Sequence, residues 1–193
     1  MALKLARDLA DRGLVIVSAL GRGIDSTAHR GALGSAPGAT IGVLGCGIDV
    51  IYPKENKKIY AEMLPRGAII SECAMGTSRA AQNYPIRNGI IAGKPPGVVV
   101  IGGAEFSSSL ITARLAMEFG REIFGGLGNA TNATSFGSNQ LIKQGAKLVT
   151  GWGDVVKELP TPVRAELLPV ETARSEGRSL LVEQSLQLIE RRL

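Results

Sequence analysis

Two stretches of this chain set glycines, hydroxyls and a cation where a strand pattern gives way to a helical one. In VIVSALGRGIDSTAHRGAL (15–33), Gly21 and Gly23 flank Arg22 just ahead of the helix. Glycine lets backbone N–H groups come close to a ligand, and a helix N-terminus attracts anions. The guanidinium of Arg22 adds a group that holds a phosphate through paired hydrogen bonds. Tight strand-to-helix turns need glycine anyway, so this spacing alone is a weak indication of function. In GGAEFSSSLITARLAMEF (102–119), Ser107, Ser108, Ser109 and Thr112 crowd another helix start, a second candidate phosphate cradle.

A third stretch, RAAQNYPIRNGIIAG (79–93), combines Arg79, Asn83, Tyr84, Arg87 and Asn88 without an acid. Single-strand binding uses this mixture, because bases stack on aromatic rings while cations pair with phosphates. A loop with a buried Tyr84, and with Asn83 capping the helix after Pro85, reads the same residues equally well. The polar stretch GNATNATSFGSNQLIKQGAKLV (128–149) leads to Lys143 and is expected to line the same edge. Its NAT triplets match glycosylation sequons, which have no role in a cytosolic chain.

Other reactive residues read as structural. His29 is the only histidine and has no recognisable catalytic or metal-binding constellation around it. Asp25 and Asp49 each follow a glycine-rich strand end and are expected to brace their loops. Cys46 and Cys73 have neither zinc-ligand nor redox spacing, so no metal or cofactor is expected and the chain reads as cytoplasmic. No catalytic residue is assigned.

These residues need a scaffold that gathers them. Short apolar runs at 14–18, 40–44, 68–71, 98–101, 122–124 and 147–150 alternate with helical patterns. Their near-continuous Val and Ile character suits strands buried on both faces. The fold class is therefore α/β, a Rossmann-like doubly wound, mostly parallel sheet flanked by helices. Asp25–Ser26, Pro53, Ser107–Ser109 and Ser135 mark helix starts. Residues 1–159 form the core domain. Residues 160–193 read as a proline-interrupted linker and an amphipathic helix with a Val182, Leu186, Ile189, Leu193 stripe.

The chain has 193 residues and a net charge of +5, which by itself favours anionic partners only weakly. Distribution says more: 26–48, 73–104 and 123–153 contain no Asp or Glu and hold most of the glycine-rich turns. If those turns share an edge, that edge is positive. No apolar run is long enough to span a membrane, and the charged N-terminus does not read as a signal peptide.

In order along the chain, GRGIDSTAHRGAL, GVLGCGIDVIYPKEN, ISE, NYPIRNGIIAG, SSSLITARLAMEFGREIF and GSNQLIKQGAKLV resemble the DNA-processing protein A family, also called DprA or Smf. The resemblance runs from about Ala2 to Leu159. It implies single-stranded DNA binding and protection during natural transformation and DNA recombination, loading of RecA recombinase, a homodimer, and no catalysis. By motif position, it makes Arg22 a phosphate-binding arginine and Tyr84 a base-stacking ring. Ser18, Gly21, Gly23, Asn83, Arg87, Asn88, Ser107, Ser109, Thr112 and Lys143 fall at pocket positions.

Departures from the family pattern are visible. The chain begins within the helix after the family's usual first strand, so part of the pocket is expected to be missing. Ala81 stands where a basic residue is usual, and Gly89 replaces the second arginine of the usual RNR. Gly102 replaces an acid and Phe106 a basic residue; Phe106 adds a stacking surface or packs. Two rival readings remain. One is a nucleoside-monophosphate-cleaving enzyme with Glu118 as its acid, since such enzymes also place a glycine-rich turn before a helix. The other is a dimerisation scaffold that has lost DNA binding.

Overall fold

A computed structural model describes residues 1–169. The stripe from Val182 to Leu193 lies outside the described residues. Six strands alternate with helices in the order α1 (Ala2–Ala10), β1 (Ile16–Ala19), α2 (Ile24–Leu33), β2 (Thr40–Leu44), α3 (Lys57–Met63), β3 (Ala68–Ser71), α4 (Asn83–Gly93), β4 (Gly97–Ile101), α5 (Ser108–Glu118), β5 (Glu122–Gly126), α6 (Phe136–Lys143), β6 (Lys147–Val149), α7 (Trp152–Val156) and α8 (Thr161–Ala165). Short 3-10 turns at Lys54–Asn56 and Ala133–Ser135 precede α3 and α6.

All strand pairings are parallel: Ile16 lies opposite Thr40, Ile41 opposite Ala68, Gly97 opposite Glu122 and Phe124 opposite Lys147. The α/β Rossmann-like expectation is borne out, and every expected strand forms within a residue or two. One feature differs. In place of one continuous sheet there are two half-sheets of three strands, ordered β1-β2-β3 and β4-β5-β6. The winding starts at β1, moves out to β3, then jumps back to β4 and out to β6. The jump creates a topological switch point between β1 and β4, where open α/β sheets bind ligands.

Apolar strand residues are covered on both faces. Val98, Val100 and Ile123 pack with Ala92 of α4, Ala113 and Ala116 of α5 and Leu141 of α6. On the other side Leu5 and Leu9 of α1 meet Phe124, Val149, Val155 and Leu159. A third cluster joins Leu20 and Leu44 to Ile59, Tyr60 and Met63 around α3. Helices α1 and α2 cross closely because residue 31 is glycine: a Cβ there would sit 2.4 Å from the Leu3 carbonyl oxygen.

Candidate nucleic-acid interface

Strand ends β1, β2 and β4 and helix starts α2, α4 and α5 converge on one edge. At β1 the loop is tied down from below. Asn56 is buried, and its Nδ2 donates to the carbonyl oxygens of Leu20 (2.9 Å) and Gly21 (3.3 Å). The Asp25 carboxylate accepts from Ser18 Oγ at 2.8 Å and from the Gly21 N–H at 3.2 Å. Gly23 caps α2 with φ +82°, a conformation that favours glycine. Asp25 therefore braces the turn as expected, and it also occupies the Gly21 N–H offered above as an anion donor. The cradle is partly filled by the chain's own acid.

Arg22 projects outward, exposed, and its Nε is held by the Glu55 carboxylate. The hydrogen bond to Glu55 raises the Arg22 pKa, with a further contribution from Tyr52, and the same bond lowers that of Glu55. The Arg22 guanidinium lies 5.9 Å from the centre of the Tyr52 ring, and Arg79 lies 4.6 Å from it. A half-buried tyrosine between two cations is a stacking platform that the sequence reading passed over. Its residues lay in view in IYPKEN, but their approach to Arg22 crosses 33 positions of sequence.

At α4, Asn83 does not cap the helix; its Nδ2 donates to the Gly45 carbonyl at the end of β2, 3.0 Å away. Tyr84 packs against Gly45, where a Cβ would approach its ring to 3.1 Å. Arg87 lies 5.3 Å from the centre of the Tyr84 ring and donates to Asn88 Oδ1 at 2.9 Å and to the Val43 carbonyl at 3.4 Å. Burial lowers the pKa of Arg87. Asn88 is only 3% exposed, and its Nδ2 has no hydrogen-bond partner. An orphaned buried donor costs roughly 1–3 kcal/mol, so a ligand that accepts from it is rewarded.

At β4, Gly102 (φ +77°) and Gly103 (φ +121°) turn the chain into α5. Ser107 caps α5, accepting from the Ser109 N–H at 3.1 Å, and the two hydroxyls bond each other. Thr112 Oγ1 turns back to the Ser108 carbonyl at 3.3 Å. Phe106 is 93% exposed, so it stacks on nothing among the described residues. The NAT triplets fold as Asx turns, in which Asn129 and Asn132 accept from Thr131 and Thr134. Thr134 in turn accepts from the Gly103 N–H at 2.6 Å, which brings this loop to the same edge.

Ser18, Arg22, Arg87, Asn88, Ser107, Ser109 and Thr112 share the mouth of one cavity of about 400 Å³ between β1 and β4. Gly21, Gly23 and Phe106 lie on the loops around that mouth, and Asn83 and Tyr84 on the first turn of α4 beside it. Lys143 is not brought there. It ends α6, one helix length from the edge where that helix starts, and sits beside the beginning of β6. Glu118 likewise ends α5 and pairs with Arg114 at 3.3 Å, away from the mouth. His29 is fully buried; its Nε2 meets the Ala19 carbonyl at 2.9 Å and its Nδ1 meets Thr40 Oγ1 at 2.6 Å. Among the described residues no cluster of His, Cys, Asp or Glu could hold a metal ion, and no helix is long and apolar enough to cross a membrane.

Comparison with known proteins matches residues 1–160 to the family described as DNA recombination-mediator protein A. Protein Smf of Escherichia coli is 44% identical over 152 residues, 78% of this chain and 40% of that protein. DNA processing protein DprA of Streptococcus pneumoniae is 44% identical over 145 residues, 75% of this chain and 51% of that protein. The chain thus spans about half or less of these relatives. The X-ray structure of the S. pneumoniae protein superposes with TM-score 0.75 at 40% identity, covering 82% of this chain and 56% of that one. A structure describing the single-stranded DNA binding mode of DNA processing protein A from Helicobacter pylori superposes with TM-score 0.73 at 28% identity, covering 82% and 74%.

Proposed function

This chain belongs to the DNA recombination-mediator protein A family, and from that premise we propose that it binds single-stranded DNA along the edge where β1, β2 and β4 end. The observation that carries the reading is the convergence of Arg22, Arg87, Asn88 and the Ser107–Ser109 helix start on one mouth, with the buried Asn88 amide left unpartnered. Phosphates meet Arg22 and the α5 N-terminus; Tyr84, Tyr52 and Phe106 offer faces to bases. Ser18, Gly21, Gly23 and Asn83 shape the loops, and Thr112 lines the wall. Lys143 contributes at most to the field from a distance.

The wider role proposed with it is protection of single strands in DNA processing and natural transformation, loading of RecA recombinase, and action as a cytoplasmic homodimer; the H. pylori neighbour supports the single-stranded DNA binding in this reading. It is a binding protein rather than an enzyme, a reading supported by the position of Glu118 at the far end of α5. Residues 1–159 act as the binding domain.

Fluorescence anisotropy of a labelled poly-dT oligonucleotide, titrated at several salt concentrations with a duplex competitor, tests this. Salt-sensitive binding that prefers the single strand is expected. Arg22→Ala should weaken it severalfold and reduce the salt slope by about 0.7, the share of one single-strand phosphate contact. Absence of binding at low salt would overturn the reading and leave a scaffold.

A further inference from the structure

Cys46 and Cys73 stand far apart in the sequence, yet the fold sets them side by side, both as free thiols. In the β2–β3 ladder Leu44 lies opposite Ser71, and beyond the ladder the two chains stay together at the same offset. Ser71 Oγ donates to the Cys46 carbonyl at 2.6 Å and accepts from the Cys73 N–H at 3.0 Å, so one hydroxyl staples both cysteine backbones. One residue further on, a Cβ at Gly47 would lie 2.8 Å from the Ala74 carbonyl oxygen. Cys46 is therefore opposite Cys73. Leu44 and Cys46 pack against Ile59, Tyr60 and Met63 of α3, with Ile69 of β3 alongside. Strand side chains alternate between faces, so Ile69, Ser71 and Cys73 share that α3 face. Neighbouring strands run about 4.8 Å apart, within the roughly 4.4–6.8 Å between Cα atoms that a disulfide spans.

We propose that Cys46 and Cys73 form a reversible disulfide by exchange with a low-molecular-weight disulfide. Exposure sets the order of events. Cys73 is half-buried and within reach of solvent, whereas Cys46 is buried and its thiol donates to the Val50 carbonyl at 3.4 Å. Burial pushes the Cys46 pKa up, and the charge of neighbouring Cys73 pushes it further, so Cys46 does not attack first. The Cys73 thiolate attacks one sulfur of the small disulfide and breaks its S–S bond; half stays on Cys73 and half leaves as a thiolate. Cys46 then gives up its proton, its sulfur attacks Cys73 Sγ, and the second half departs. Two protein thiols are oxidised, the small disulfide is reduced to two thiols, and the protons shed by the cysteines end on those thiols. In a reducing compartment such a bond is transient and senses oxidant. It closes residues 47–72 into a ring that carries Glu55 and Asn56, the side chains that hold Arg22 and the β1 loop. The inference does not rest on DNA binding and survives its failure.

The test incubates the full folded chain with oxidised glutathione and maps it by mass spectrometry without reductant. Both thiols should be lost, a Cys46–Cys73 cross-link should appear within one polypeptide, and dithiothreitol should restore the free pair. The urea midpoint should rise on oxidation and fall back on reduction, because the ring constrains the unfolded chain. Cys46→Ser should stop with glutathione held on Cys73, and Cys73→Ser, a change at a half-exposed site, should take up none while folded. Three results would overturn the proposal: glutathione persisting on Cys73 of the wild type as in Cys46→Ser, a cross-link joining two polypeptides on non-reducing gels, or a cross-link that forms only in urea.

Discussion

Arg22 arrives at the mouth already engaged, and a phosphate must displace Glu55 to win it. The pair is exposed, so the competition is mild. Glu55→Gln should therefore tighten poly-dT binding, by anisotropy, without changing the salt slope as Arg22→Ala does; weaker binding would show that Glu55 positions Arg22 instead of restraining it. His29 makes a different statement. The Ala19 carbonyl can only accept, so Nε2 carries a proton, while Thr40 Oγ1 donates to the Ile16 carbonyl at 2.6 Å and lies 2.6 Å from Nδ1. Burial lowers its pKa below the usual value near 6.5. A depressed folded-state pKa means that the stability it provides is present above about pH 6.5 and is lost as pH falls below it. Urea midpoints should drop between about pH 6.5 and 5 in the wild type, and that drop should shrink in His29→Gln. The structural role of His29 and the bracing roles of Asp25 and Asp49 were legible in the sequence, since a lone histidine and two loop acids lacked partners for chemistry. The Arg22–Glu55 contact was not, because side chains 33 positions apart meet only through the packing of α3 beneath the first loop.

At the scale of elements, strands were read well because fully buried parallel strands are short apolar runs, and helix starts were read where a hydroxyl truly caps. Ser107 is such a cap. Ser107→Ala should cost about 1 kcal/mol in urea denaturation and weaken DNA binding, since the same turn positions the α5 N-terminus. Asn83 misled for a physical reason: its amide reaches across to the Gly45 carbonyl, a tertiary contact that local spacing does not encode. Gly31 gives a sharper test. On helix propensity alone Gly31→Ala would gain up to about 1 kcal/mol. At 2.4 Å from the Leu3 carbonyl, the added methyl must instead push α1 away from α2. A net loss of about 1–3 kcal/mol is expected from such overpacking. Any rise in the urea midpoint would show that α1 yields easily.

Across the whole molecule, composition pointed toward an anionic partner, and the acid-free stretches do supply much of one edge. That edge is less positive than the sequence suggests, because Asp25, Asp49 and Glu55 come to it from outside those stretches: Asp49 accepts from the Gly76 N–H at 2.9 Å, and the other two brace Gly21 and Arg22. Lys143 and Lys147 lie toward the opposite edge, Lys147 between Glu122 and Glu158 at 2.6 Å each. The split into half-sheets was invisible in periodicity, which reports that a strand is buried but not which neighbour it pairs with. The polypeptide leaves the described fold at that opposite edge as well. Leu168 donates to the Arg12 carbonyl at 3.0 Å, beside a guanidinium lying over the Trp152 ring, just before β1 begins. A strand bound at the mouth would therefore sit at the opposite ends of these parallel strands from the Leu168–Arg12 contact. Tension between those two points would run lengthwise along the parallel ladders, loading many of their hydrogen bonds together in shear instead of peeling them one at a time.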